Sequence, residues 1–220
     1  MKRTLYQRLV RSNESQLLRQ IFADLEYLGI IEKYGTCCLF INALAAEILK
    51  LHHFDVELRA CIAVVDQEGR GRFLLGAKEF SLPGQIPSHI VCIINKSVLL
   101  DFGLGNVRKN FHSDFYQAML LPVSNYEAAA EQVLCEAHPS FRCSLSYVAD
   151  LPPETLDHEM EAQKHVLAKC LLEYQRYAKN RLKFNVARAL RKLYRARLFS
   201  VTQKPELGRL AGNFDETHFN

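Results

Sequence analysis

An unbroken apolar run headed by a glycine and two cysteines constrains this chain more than any other stretch. Residues 34–42 read Tyr34-Gly35-Thr36-Cys37-Cys38-Leu39-Phe40-Ile41-Asn42. Ala43, Leu44, Ala46, Ile48, Leu49 and Leu51 continue the pattern without a breaker as far as His52-His53. Such spacing predicts a buried helix that starts at Cys37. Unpaired N–H groups and the helix dipole at its first turn favour a thiolate over a thiol, and Gly35 permits a tight turn ahead of it. Cys38 is the competing thiol. The Gly-x-Cys spacing favours Cys37 as nucleophile, with Cys38 turned toward another face of the helix. A cysteine in an apolar run also serves as a small buried hydrophobe, so a catalytic reading needs partners elsewhere in the chain.

Those partners lie in a hairpin. His89-Ile90-Val91-Cys92-Ile93-Ile94 and Val98-Leu99-Leu100-Asp101-Phe102 are β-type runs separated only by Asn95-Lys96-Ser97, a turn by length and composition. A turn centred near Asn95 or Lys96 sets His89 opposite Asp101 to within one residue. Cross-strand β-carbons lie about 4.5–5.5 Å apart, within side-chain hydrogen-bond reach. A carboxylate there can hold the imidazole in one tautomer, and the imidazole can take a proton from a thiol and return it to a leaving group. The candidate site is Cys37, His89 and Asp101, in that chain order.

The rest of the chain frames this site. Residues 14–33 carry Leu17, Leu18, Ile21, Phe22, Leu25, Leu28 and Ile31 at helical spacing, which predicts an amphipathic helix packed as a hairpin with the next. Residues 54–65 read as a strand, 67–71 as a turn, and Pro83-Gly84 marks a loop. Phe115 to Leu121 and Phe141 to Val148 read as strands, and Tyr126 to Cys135 as a helix. A helix is expected from Glu154 to Tyr177, a break at Asn180, a second, basic helix to about Phe199, and then a loose tail. Helices, then antiparallel strands, then helices make an α+β class. Three parts are expected within one compact whole: helical 1–53, antiparallel 54–150 and a basic helical extension 151–220.

Composition narrows the function classes. Seven scattered cysteines fit reduced thiols in the cytoplasm better than a disulfide framework. No CxxC pair, HExxH, phosphate-binding loop or dinucleotide fingerprint occurs, so neither a metal nor a nucleotide phosphate site is expected. His52-His53 cannot share an ion with Cys37-Cys38 from the far end of a helix roughly 20 Å long; they mark its C-terminus. No apolar run reaches the ~20 residues of a membrane helix. The net charge of +4 hides an asymmetry: ten Lys and Arg and no acidic residue lie between Gln175 and Pro205. Such a helix usually docks its apolar stripe and leaves its charges solvated. Tyr174, Tyr177 and Tyr194 are interleaved with it, but no nucleic-acid-binding fold surrounds them, so nucleic acid is not the expected partner.

On these motifs the chain resembles the transglutaminase-like superfamily of cysteine enzymes. Residues 34–40 look like its Y-G-x-C-W-V-F pattern, with Cys38 where that pattern has tryptophan. The arylamine N-acetyltransferases are a closer match. Their G-x-C motif and the helix ending L-x-x-x-G-F-x-V are similar to residues 35–56. Their histidine strand and L-V-D-V-G-F-G hairpin are similar to His89 through Gly105. The resemblance, over about residues 30–160, implies a papain/transglutaminase-like core with an antiparallel sheet or small barrel. It also implies Cys37 as acyl-accepting nucleophile, His89 as base and Asp101 as orienting carboxylate. Acetyl-CoA would be the co-substrate and an arylamine, hydrazine or other small amine the acceptor. Two other readings stay open. One is a transglutaminase-, protease- or deamidase-like enzyme using the same triad. The other is a non-catalytic interaction protein that uses the basic helix.

Overall fold

The computed structural model describes residues 5–7, 12–78, 87–140 and 142–202. The Pro83-Gly84 loop and the tail after Thr202 lie outside the described residues. The chain divides into two compact units, Met1–Ala178 and Lys179–Asn220. The helical and antiparallel parts both fall in the first. Among the described residues no helix is long and apolar enough to cross a membrane.

Three helices open the first unit: α1 (Ser12–Tyr27), α2 (Ile30–Tyr34) and α3 (Cys38–Leu51). The single helix expected over 14–33 is thus two, because Gly29 adopts a left-handed φ of 73° that stops α1 and starts α2. α3 begins one residue later than expected, with Cys37 as its N-cap, and ends against His52 and a left-handed His53. Every α3 residue from Leu39 to Leu49 except Glu47 is buried.

The strands are β1 (Leu5–Gln7), β2 (Val56–Gln67), β3 (Gly71–Leu75), β4 (His89–Ile94), β5 (Val98–Asp101), β6 (Ala118–Pro122), β7 (Val133–Ser140) and β8 (Cys143–Ala149). They form one sheet in the order β1-β6-β5-β4-β2-β8-β7, with β3 beside β2. All pairings are antiparallel except β1 with β6. Ser124 and Asn125, just past β6, donate to the Leu134 carbonyl of β7, which draws the sheet into a nearly closed curl. The short helix α4 (Gly105–Asn110) follows β5. α5 (Leu156–Thr202) follows β8, and Asn180 lies within its helical span instead of breaking it. The helix expected over Tyr126–Cys135 is not formed. Turns occupy its first half, and Val133 to Ser140 pair with β8. Leu134, Cys135 and Ala137 are buried there, so packing and ladder bonds override local helical propensity.

Two cores lie on the two faces of the sheet. Cys92, Ile94, Val98, Leu100, Ala118 and Leu120 pack against α1, α2 and α3. Val91, Ile93, Leu99, Met119, Leu121, Leu145 and Tyr147 fill the inside of the curl. β4 and β5 are covered on both sides, which is why they read as continuous apolar runs instead of alternating.

Gly35 has a right-handed φ of −65°, so the turn before α3 does not need glycine for its dihedrals. It needs glycine for space: a β-carbon there would sit 2.5 Å from the Ile31 carbonyl oxygen and 2.6 Å from Gln117 Nε2. Gly35→Ala is predicted to cost about 1–3 kcal/mol through overpacking, read as a lowered thermal midpoint. An unchanged midpoint would show that the turn yields freely.

Candidate active site

The site forms where α3 begins, β4 begins and β5 ends. His89 is the first residue of β4 and Asp101 the last of β5. The register Cys92↔Leu100, Ile93↔Leu99, Ile94↔Val98 continues to put Asp101 beside Val91, two residues from His89. The pair is therefore diagonal, not directly opposed as the hairpin turn suggested. A displacement of two preserves the face, since side chains alternate with period two. His89 Nε2 and Asp101 Oδ2 are 2.8 Å apart, and both residues are buried, at 2% and 0% exposure.

The Asp101 carboxylate has four partners. On Oδ2, besides the imidazole, the Tyr147 hydroxyl donates at 2.8 Å. On Oδ1, the Gly103 backbone N–H donates at 2.7 Å and Asn42 Nδ2 at 3.2 Å. Asn42 also donates to the Ile90 carbonyl at 2.7 Å and accepts from the Phe102 N–H at 2.9 Å, tying α3 to both strands. Burial works to raise the Asp101 pKa, yet the His89 charge and these hydrogen bonds hold it below the usual carboxylate range. Burial and the Asp101 charge push the Tyr147 hydroxyl well above 10, so it remains a neutral donor.

The thiol beside the imidazole is Cys38. Its Sγ lies 4.0 Å from the carbonyl oxygen of Ser88, immediately before the histidine, and the His89 charge acts on it. With Nε2 engaged by Asp101, Nδ1 is the ring nitrogen left for the sulfur. Cys37, expected to face the ring, does not. One residue of helix rotates the side chain by about 100°, and Cys37 packs instead against the core that α3 shares with α1 and α2. Cys38 packs on the separate cluster of Leu39, Ala60 and Ile90, and lies one helical turn from Asn42. Both thiols are half-buried, but their electrostatics diverge. Burial pushes Cys37 above the usual thiol value. Burial also acts to raise Cys38, but the His89 charge leads the causes that together outweigh it, and its pKa is lowered. For His89 burial works to lower the pKa. The Asp101 and Cys38 charges overcome this and push it up to about 10.

The arrangement sets a thiol of lowered pKa against an imidazole of raised pKa braced by a buried carboxylate, which is suited to deliver a nucleophilic sulfur and then a proton. Gly103 makes room for it. A β-carbon there would lie 2.7 Å from Cα and Cβ of Cys38 and 3.2 Å from Asp101 Oδ1. Sequence reasoning had identified His89 and Asp101 but not Asn42, Tyr147 or Gly103. The available signal was an asparagine amid apolar helix residues, because a buried amide must find partners. Comparisons with protein-family models, with curated proteins and with solved structures find no match to the chain.

Two predictions follow from this geometry. Iodoacetamide should alkylate Cys38 with a pH midpoint below 9 and Cys37 with one above 9, the usual thiol value, since the two shifts are opposite in sign. His89→Gln removes the imidazolium and leaves the burial cost, so the Cys38 midpoint should move upward past that value. Equal midpoints for both thiols would refute the pairing. Gly103→Ala should displace Cys38 from the ring and lower its alkylation rate at neutral pH about tenfold, toward that of an ordinary thiol. Peptide mapping after timed labelling reads both effects, and a Gly103→Ala rate equal to wild type would contradict the close approach.

Proposed function

We propose that the chain is a cysteine-nucleophile acyltransferase in which Cys38 takes the role first expected of Cys37. His89 is its acid–base partner and Asp101 the orienting carboxylate. The observation that carries this reading is the relay itself. A half-buried thiol of lowered pKa sits on an imidazole whose far nitrogen is 2.8 Å from a fully partnered buried carboxylate. A buried ion pair is costly to maintain and is not expected from stability alone. The order helix cysteine, strand histidine and strand aspartate also supports a papain/transglutaminase-like core. Seven free thiols support a cytoplasmic setting.

Acetyl-CoA is the donor that the resemblance to arylamine N-acetyltransferases suggests, and a small amine the acceptor. The Cys38 thiolate attacks the thioester carbonyl, and first-turn N–H groups of α3 are suited to stabilise the oxyanion. The carbon–sulfur bond to CoA breaks, and the departing thiolate takes the His89 proton. The amine then attacks the Cys38 thioester, gives its proton to His89, and releases Cys38 as thiolate with the amide formed. Asp101 holds the ring orientation through both steps.

Mass spectrometry after incubation with acetyl-CoA tests this. One acetyl group is expected on the wild type and on Cys37→Ala, and none on Cys38→Ala. Acetylation should slow by about 100- to 10,000-fold in His89→Gln through loss of acid–base assistance. An adduct surviving in Cys38→Ala would exclude Cys38 as the acceptor. No adduct from any CoA thioester, with ammonia released from glutamine, would transfer the triad to deamidase or transglutaminase chemistry. An ordinary high-pH thiol profile at Cys38 would favour a non-catalytic protein that binds through its basic helix.

A further inference from the structure

The thiol has a second neighbour that the triad does not use. β8 ends at Ala149, which pairs with Cys61, and Cys61 in turn pairs with His89. The chain therefore leaves the sheet in the same row as the imidazole. Asp150 is pinned there by its N–H to the Ala60 carbonyl at 3.1 Å, and six residues after β8 the chain enters α5. This short path brings the start of α5 to the cysteine. Leu156 and Met160, four residues apart and so on one helix face, pack with Leu58 on the same Leu39, Ala60 and Ile90 cluster as Cys38. All four side chains, Cys38, Leu58, Leu156 and Met160, are half-buried. The reactive sulfur thus emerges beside a partly open aliphatic surface contributed by two elements outside the triad. Glu159, between these two helix positions, is close enough to raise the Cys37 pKa by its charge, though burial is the larger cause there.

We infer that Leu58, Leu156 and Met160 form a specificity wall that selects neutral aliphatic groups on whatever reacts at Cys38. Leu156 and Met160 are specificity-determining residues contributed by the first turns of α5. This rests on Cys38 being the reacting thiol, and it narrows the acyl class from any CoA thioester to those with an uncharged alkyl chain. The alkyl group leaves water for apolar contact as the sulfur bonds, so chain length is read as rate.

The wall is testable with N-methylmaleimide and N-hexylmaleimide on the full chain. Both react by addition of the thiolate to the ring alkene with protonation of the neighbouring carbon, and they differ only in the alkyl substituent. Wild-type Cys38 should prefer the hexyl reagent by roughly tenfold. Met160→Gln and Leu156→Asn should each bring the ratio to within about twofold of one, while the iodoacetamide pH midpoint stays that of wild type, which shows the pair intact. A second arm measures acylation by acetyl-, hexanoyl- and succinyl-CoA, with hexanoyl favoured over acetyl in wild type, that preference lost in Met160→Gln, and succinyl slowest. A hexyl-to-methyl ratio near one in wild type, or a ratio unmoved in both variants, overturns the wall. A responsive maleimide ratio with no acylation by any thioester overturns acyl transfer and leaves the wall standing, so the two failures are distinct.

Discussion

The site depends on one buried negative charge being fully partnered. An isolated carboxylate at zero exposure would be untenable as an ion, since desolvation raises its pKa until it takes up a proton. Asp101 escapes this because four donors reach its two oxygens: a ring nitrogen from β4, a phenol from β8, a backbone amide just past β5, and a side-chain amide from α3. Each donor comes from a different piece of the chain, so the ionised carboxylate can be buried only when those pieces are assembled. The charge survives burial because the fold replaces the water it loses. His89 then carries its proton because Asp101 does not, and Cys38 is acidified because His89 is charged. The three titrations form a unit, and no residue in it has a protonation behaviour of its own.

This dependence explains why the strand pair was legible in the sequence and the cysteine was not. His89 and Asp101 stand together at the open end of a hairpin whose turn is a tripeptide, and a period of two leaves only one bit of information to get right, the face. Of the two centres expected for the turn, Asn95 would oppose His89 to Asp101 directly; the register is centred on Lys96, which shifts the facing partner by two and preserves that bit. A helix is less forgiving. A one-residue error in where α3 starts turns every side chain by about 100°, enough to exchange which of two adjacent thiols meets the ring. Fixing that phase from sequence needed a second residue known to face the site. Asn42 was such a residue: an amide in a helix otherwise buried against apolar neighbours has to point at polar partners, and it lies one turn beyond Cys38, not Cys37.

Elements away from the site show the same division between local and tertiary causes. Long periodic segments, α1, α3 and the first turns of α5, follow from their own spacing. β7 does not, because Val133 to Ser140 form a strand only where β8 supplies a ladder and the inside of the curl takes up Leu134, Cys135 and Ala137. Gly29 was legible in principle, being a glycine between two apolar stripes. The apolar stripe runs on through it with a spacing that also fits one helix, so the glycine alone does not fix the break. Tyr147 belongs to the tertiary class as well. It lies in an alternating strand where any large apolar residue would satisfy the core, and only the position of Asp101 across the curl gives its hydroxyl a purpose.

The curl of the sheet connects these observations. A flat sheet would put β8 far from β5, two strands removed through β4 and β2. Curvature brings the inward faces of the two strands together, so that a phenol on β8 can reach a carboxylate on β5 at 2.8 Å. The same curvature leaves α3 on the convex face, where its side chains cannot enter the curl except at an edge. Cys38 and Asn42 meet the imidazole and the carboxylate because His89 begins its strand and Asp101 ends its own, at one end of the hairpin. A histidine two residues further along β4 would point to the same interior face but lie deeper, beyond the reach of the helix. Position at the strand terminus, as much as residue type, is what lets a buried relay end on a thiol that solvent can reach.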